Sequence, residues 1–314
     1  MARDLSPQLL WQSVMWKLRG VLATESNWRL AHRARELWQP AEIEARRGLA
    51  RELATELPRE LQIDRDEGHL MLHETAIPKT DDVCAIGRTI LEDASLDVGV
   101  ANGDKRFSRF RLSTHAQRTA LLRIGLDRRV IAMAASYLGV LPVITEADYY
   151  CSFAVEGPWT KSQLWHCDDD AGDVFKLFVY CDDVVREDGP FEFIDPVRSH
   201  RVRGAVGYRY GGYKNRVADE VMDRQVPPAD QNGVIGPRGT AFVIDTVRCF
   251  HRGSRIRDHK HRRVASMICF TPPSSNVLPL RLAGNTAPLT EFASDFSSPL
   301  ERAVLGFPLA TKWI

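Results

Sequence analysis

The chain has 314 residues, 44% apolar and 26% charged, which are the proportions of a globular protein able to bury a substantial core. Its 42 basic and 41 acidic side chains nearly cancel, so bulk charge gives no argument for nucleic acid or an anionic membrane surface as a partner. No apolar run reaches the length of a membrane span, so no stable membrane insertion is expected.

The opening carries Asp4 and lacks a basic start leading into a long apolar stretch, so no secretory signal is expected and a cytoplasmic setting is. The first third reads helical. Ser6-Pro7 offers a cap and a first-turn proline, followed by Leu9, Leu10, Val14, Leu18, Val21 and Leu22 at helical spacing. Trp11, Trp16, Trp28 and Trp38 stud this region. Core packing is the favoured reading and a partner-docking or membrane-surface helix the alternative. A second helix is expected over 41–57, with Ile43, Leu49, Leu53 and Leu57 and a stop at Pro58. A third runs over 80–95 after Thr80-Asp81-Asp82, and a fourth over 115–138, ending at Gly139.

From Val143 the texture changes to short β-rich runs at 147–155, 174–181, 190–194, 240–247 and 264–270, separated by Gly, Pro and Asp clusters. That is the pattern of an all-β sandwich or barrel. Residues 200–236 are rich in Gly, Arg and Tyr with weak periodicity, and read as a lid or substrate loop. Their Arg201, Arg203, Arg209 and Lys214 read as solvated loop charge, with selection of an anionic substrate as the alternative. The stretch from Ser274 reads as irregular, with a short helix near 298–304. Cys84, Cys151, Cys167, Cys181, Cys249 and Cys269 form no CxxC pair, so they are expected as free thiols and not as a disulfide frame or zinc knuckle.

Three segments carry the chemistry. In Trp165-His166-Cys167-Asp168, the histidine and the carboxylate are two apart, which at a strand end puts both on one face. The run from Phe242 ends on His251. If the two strands are neighbours in a barrel, His251 completes a two-histidine, one-carboxylate face that leaves three octahedral positions open, the donor set of non-haem iron(II) oxygenases. The third segment, Arg262-Arg263-Val264, starts a strand with a guanidinium able to grip a carboxylate through two bonds.

Other polar residues have plainer readings. Asp169 and Asp170 read as loop solvation or as hydrogen-bond support for a ligand, in preference to a second metal site. His259 and His261 read as solvated, His200 as bonding loop backbone, and Asp245 as a turn residue. Lys176 reads equally as a surface lysine or as a group near a bound keto acid.

The segment Trp165-His166-Cys167-Asp168, the strand Lys176-Leu177-Phe178-Val179-Tyr180 and the block Asp188-Gly189-Pro190 through Ser199-His200 together resemble the phytanoyl-CoA dioxygenase family of iron(II)/2-oxoglutarate-dependent oxygenases. So does the junction Tyr137-Leu138-Gly139-Val140-Leu141-Pro142; the similarity runs from about 130 to 272. Two departures stand out: Pro196-Val197-Arg198-Ser199-His200 lacks the family's turn glycine, and His251-Arg252-Gly253-Ser254 is one residue longer than the family's distal block.

The resemblance implies a mainly β fold with flanking α-helices: a double-stranded β-helix (jelly-roll, cupin-like) core at 141–273, a helical part at 1–140 packed on it and a C-terminal extension at 274–314, all one domain. It implies iron(II) held by His166, Asp168 and His251, with 2-oxoglutarate and O2 as co-substrates, and oxidation of a small-molecule substrate with release of succinate and CO2. The distal carboxylate of 2-oxoglutarate would pair with an arginine, helped by Tyr150 or Gln163. Alignment on Gly253-Ser254 and Phe270 points to Arg263, and the count from His251 to Arg262; Arg263 is preferred. With Asp168 present, the resemblance favours hydroxylation or another oxidation over halide transfer. Two alternatives remain at this stage: a metal-dependent barrel enzyme that uses no keto acid, and a degenerate barrel that binds a partner.

Overall fold

A computed structural model describes residues 40–73, 76–77, 80–92, 107–110, 114–154, 157–168, 173–210, 215–253, 255–256, 262–273 and 289–309. The tryptophan-rich opening, Asp169, Asp170, Lys214, His259 and His261 lie outside these residues, as does the side chain of Arg262.

Helix α1 (Pro40–Glu56) matches the 41–57 pattern and buries Ile43, Ala50 and Leu53. It also buries Arg46, which is 2% exposed. A charge so placed is tolerated only when its donors are used. Its guanidinium pairs with Glu42 at 2.7 Å and donates to the carbonyls of Leu141 (3.2 Å), Ala303 (3.1 Å) and Phe307 (2.8 Å). One inward arginine thus ties α1 to the carbonyl of Leu141 and to the last helix. Helix α2 (Thr80–Glu92) buries Val83 and Cys84.

The single helix expected over 115–138 is two, α3 (His115–Gly125) and α4 (Arg128–Leu138). Asp127 adopts an extended backbone and its carboxylate accepts from the Arg129 amide at 2.9 Å, so it caps a new helix where the apolar spacing alone reads as continuous. Helix α4 is buried from Val130 to Ala135, packed between α1 and the sheet, and ends at Gly139 in the left-handed conformation.

The remaining elements are strands β1 (His69–Leu72), β2 (Phe107–Phe110), β3 (Val143–Phe153), β4 (Phe175–Tyr180), β5 (Phe191–Phe193), β6 (Asn232–Val234), β7 (Ala241–Ile244), β8 (His251–Arg252) and β9 (Arg262–Thr271), with helices α5 (Pro196–Val206), α6 (Asp219–Met222) and α7 (Pro299–Val304). They form an antiparallel six-stranded sheet in the order β1-β7-β4-β9-β3-β2 and an antiparallel three-stranded sheet in the order β6-β5-β8. The main core lies where α1–α4 cover the larger sheet. Strand β3 starts four residues before its sequence pattern does, because the register with β9 slips between Ile144 and Glu146. That bulge resets the two-residue alternation, which is legible only beyond it.

The 200–236 stretch is not an open lid over its described length. Asp195 caps α5 by accepting from the Arg198 amide at 2.7 Å, with Pro196 in the first turn, so a helix start replaces the family's glycine turn. His200, expected to bond loop backbone, is instead exposed on that helix. Val202, Val217, Met222 and Val226 pack in a second apolar cluster with Trp165 and Phe250, flanked by Tyr208 and Tyr210. Among the described residues no helix is long and apolar enough to cross a membrane. All six cysteines are buried and none is disulfide-bonded.

Gly189 explains part of the Asp188-Gly189-Pro190 block: its φ is +62° and a Cβ there would lie 2.3 Å from the backbone of Arg255. Gly189→Ala should therefore cost about 2 kcal/mol or more in chemical denaturation. Gly204→Ala, inside α5 with nothing within 4 Å of the added carbon, should instead raise stability by about 0.5–1 kcal/mol.

Candidate metal centre

His166 and His251 face each other across an antiparallel bridge. The His166 amide donates to the His251 carbonyl at 3.0 Å, and the His251 amide to the His166 carbonyl at 2.8 Å. Directly opposed residues send their side chains to the same face, and the two imidazole centroids are 4.1 Å apart. Each ring has Nδ1 at a backbone carbonyl, His166 at Leu164 (2.8 Å) and His251 at Cys249 (3.1 Å). Each carbonyl accepts a hydrogen bond from Nδ1–H, which leaves the Nε2 lone pair turned inward.

Asp168 is held by its amide, which donates to the Thr246 carbonyl at 2.9 Å. Its Oδ1 lies 3.7 Å from each Nε2. The three donor atoms all fall within 4.8 Å of one another. Ligands at right angles and about 2.1 Å from one ion sit about 3 Å apart, so a small closure brings all three onto one cation.

The charge states suit that role. Burial lowers the pKa of His251 to about 4, against the opposing pull of Asp168, so the ring is neutral at pH 7. Burial works to raise Asp168, but the charge of Lys176, joined by His251 at the low pH where that ring is protonated, outweighs it and holds the carboxyl at about 2. A neutral His251 imidazole and an ionised carboxylate fit a borderline divalent metal such as iron(II).

The cluster opens into a cavity of about 370 Å³ lined by residues of both sheets. Strand β9 contributes Arg263, Ala265 and Met267, β4 contributes Lys176, Phe178 and Tyr180, and β3 contributes Glu146, Tyr150 and Ser152. Each set follows the two-residue period of a strand with one face inward. Phe191 stacks flat on His251 at 5.3 Å and 14°.

Arg263 is 7% exposed. It donates to the carbonyls of Asp188 (3.1 Å) and Gly189 (2.9 Å), and its guanidinium stands 5.3 Å over the Tyr180 ring. Tyr150 and Gln163 line the same cavity. The Tyr150 hydroxyl donates to Glu146, and Gln163 Oε1 accepts from the Thr160 amide at 3.3 Å. Sequence reasoning missed Glu146 and Arg216 as cavity residues. Arg216 sits in the weakly periodic stretch, where nothing local marks it, and burial lowers its pKa to about 10. Lys176 is an inward group, not a surface lysine: it is 9% exposed, with Nζ 2.6 Å from Asp168 Oδ2.

Buried polar groups behind the cluster fix its backbone. Ser199 Oγ donates to the Ile194 carbonyl (3.0 Å) and accepts from the Phe250 amide (2.8 Å), beside His251. The Tyr208 hydroxyl donates to the Cys167 carbonyl and accepts from its amide, both at 3.0 Å, between His166 and Asp168. Arg252 is gripped by Glu192 (2.6 Å) and Asp219 (2.5 Å), and Asp219 also holds Arg255. Asp245 is indeed a turn residue, accepting from the Val247 (3.0 Å) and Arg248 (3.1 Å) amides and from the Tyr137 hydroxyl (2.9 Å).

The sequence matches no protein-family model and no curated protein, so the resemblance to the phytanoyl-CoA dioxygenases rests on its motifs. Among solved structures, EctD from S. alaskensis with bound Fe shares 18% identity over 69% of this chain and 76% of its own, at a TM-score of 0.46. HygX from Streptomyces hygroscopicus, solved with nickel and 2-oxoglutarate, shares 18% over 66% of this chain and 83% of its own, at 0.43. The non-heme alpha ketoglutarate dependent epimerase SnoN from nogalamycin biosynthesis shares 15% over 76% of this chain and 90% of its own, at 0.42. Overlaps this loose leave the chemistry to be argued from the site itself.

Asp245 is 1% exposed, and burial, then the charge of Asp173, push its pKa from 3.8 up to about 7. A carboxyl with a folded pKa above its unfolded one binds its proton more tightly when folded. The stability it gives is complete below pH 3.8 and lost as pH rises to about 7. Urea unfolding should show the wild type losing up to about 1.4 kcal/mol per pH unit relative to Asp245→Asn across that window. Parallel pH profiles would contradict the assignment.

Proposed function

We propose that this chain is an iron(II)- and 2-oxoglutarate-dependent oxygenase, a single domain with a double-stranded β-helix core, that oxidises a small molecule, by hydroxylation in the first instance. The observation that carries this reading is the convergence of His166, Asp168 and His251 on one cavity that a buried arginine also lines. The two antiparallel sheets that share the cavity wall are what such a core requires.

In this reading His166 Nε2, His251 Nε2 and an oxygen of Asp168 hold the metal. Iron(II), when bound, supplies the redox centre that couples dioxygen to loss of CO2 from 2-oxoglutarate, leaving succinate and an oxidised substrate. The protein's part is binding, orientation and exclusion of water. Arg263 holds the distal carboxylate of the keto acid through paired N–H donors. The carbonyls of Asp188 and Gly189 and the Tyr180 ring keep its guanidinium in place. Tyr150 and Gln163 stand in the same wall to add a hydroxyl or amide contact. Phe178 stacks on Phe242, Phe191 packs tilted against both, and the three keep that side of the cavity apolar. A carboxylate at 168 occupies the position a halide would need, which favours hydroxylation over halide transfer. An isomerase or hydrolase built on the same metal set would have no use for a buried cation reserved for a second carboxylate.

The test is spectroscopic. Without oxygen, iron(II) and 2-oxoglutarate added together should give a visible charge-transfer band that neither gives alone. His166→Ala should abolish it. Arg263→Ala should keep it but raise the 2-oxoglutarate needed at half-formation by about tenfold or more, the loss of one charge-assisted pair. A metal-bound protein that shows no band at any keto-acid concentration sinks the reading.

A further inference from the structure

We infer that Lys176 is a positioning residue that keeps Asp168 a one-oxygen ligand and so holds a third position open on the metal. The inference rests on the metal role proposed above for the cluster. Strand β4 lies inside the larger sheet, with Lys176 in register with Ile244 of β7 on one side and Cys269 of β9 on the other. The residues that share its inward face, Phe178 and Tyr180, are bulky aromatics, and an apolar side chain is what this position would hold for packing alone. A buried ammonium there needs a close acceptor, and Asp168 Oδ2 at 2.6 Å is one.

The two oxygens of Asp168 are thereby sorted: Oδ2 faces the ammonium, while Oδ1 stands 3.7 Å from both Nε2 atoms. A carboxylate can bind a divalent ion through one oxygen or both. Binding through both would make Oδ2 share its lone pairs between the metal and Lys176, which weakens the charge-assisted bond and disfavours chelation. The Asp168 amide, anchored on the Thr246 carbonyl at 2.9 Å, fixes the backbone from which the carboxylate reaches both the ammonium and the imidazoles. The count of positions gives the consequence. Three single-atom protein ligands leave three of six octahedral sites, two for a chelating keto acid and one for dioxygen. A chelating Asp168 leaves two, which the keto acid fills.

The experiment uses the full chain loaded with iron(II) and 2-oxoglutarate under anaerobic conditions, titrated with nitric oxide as a reporter of the third position and followed by electron paramagnetic resonance. Lys176→Met, of similar length and uncharged, should still form the charge-transfer band but need about tenfold or more nitric oxide for half the signal. Lys176→Arg, which keeps a cation on Oδ2, should stay within about threefold of wild type. Uptake by Lys176→Met at wild-type concentrations overturns the inference. If Lys176→Met does not fold, Lys176→Gln takes its place, with a shift between the other two expected and no shift again overturning it. If wild type gives no band, the oxygenase reading fails by itself. The lysine is then read with cobalt(II) alone: chelation by Asp168 in Lys176→Met should weaken the visible cobalt absorption relative to wild type, and equal spectra overturn the inference.

Discussion

The pair of backbone hydrogen bonds between His166 and His251 is the constraint on which the site depends. It joins two segments that are 85 positions apart in the chain and sets them directly opposite each other, so that their imidazoles leave on the same side. A register slip of one residue would send one ring to the far face and disperse the donor set. The polar groups behind the cluster serve that register. Ser199 ties the Phe250 amide next to His251, Tyr208 clamps both backbone atoms of Cys167, and the Thr246 carbonyl receives the Asp168 amide.

This support comes from the stretch whose composition suggests a free loop. Helix α5, Tyr208, Val217 and Met222 form a packed buttress under Trp165 and Phe250. The tyrosines and arginines that lower its periodicity are there because they bond to backbone: Tyr210 to the Val247 carbonyl and Arg203 to the Arg248 carbonyl, each at 3.0 Å. A side chain chosen to satisfy a distant carbonyl leaves no repeating pattern, so composition alone misreads it as solvent-facing.

Electrostatics at the site follow a similar logic of compensation. Lys176, Arg216, Arg252 and Arg263 all line a cavity that contains the carboxylates Glu146 and Asp168. Lys176 faces Asp168, Arg252 faces Glu192 and Asp219, and Arg263 spends donors on two carbonyls. Holding Lys176, Arg252 and Arg263 in fixed directions avoids the cost of unsatisfied buried charge and presets the geometry a ligand would meet.

The amino-acid sequence by itself determined the features that are local: the helices ended by Pro58 and Gly139, the change to short strands after Val143, the same-side placement of His166 and Asp168, and the opposite facing of Arg262 and Arg263 once their strand is recognised. These follow from propensity, capping and a two-residue period, all of which act within a few residues. Asp127 carried a cap signal that unbroken apolar spacing on both sides concealed. Tertiary structure alone decided the bulge that shifts β3, the packing of 200–236, the place of Arg216 in the cavity wall and the meeting of Lys176 with Asp168. Each of these is set by which strands become neighbours and in what register, and that is a property of pairings between residues far apart in the chain, which no local pattern encodes.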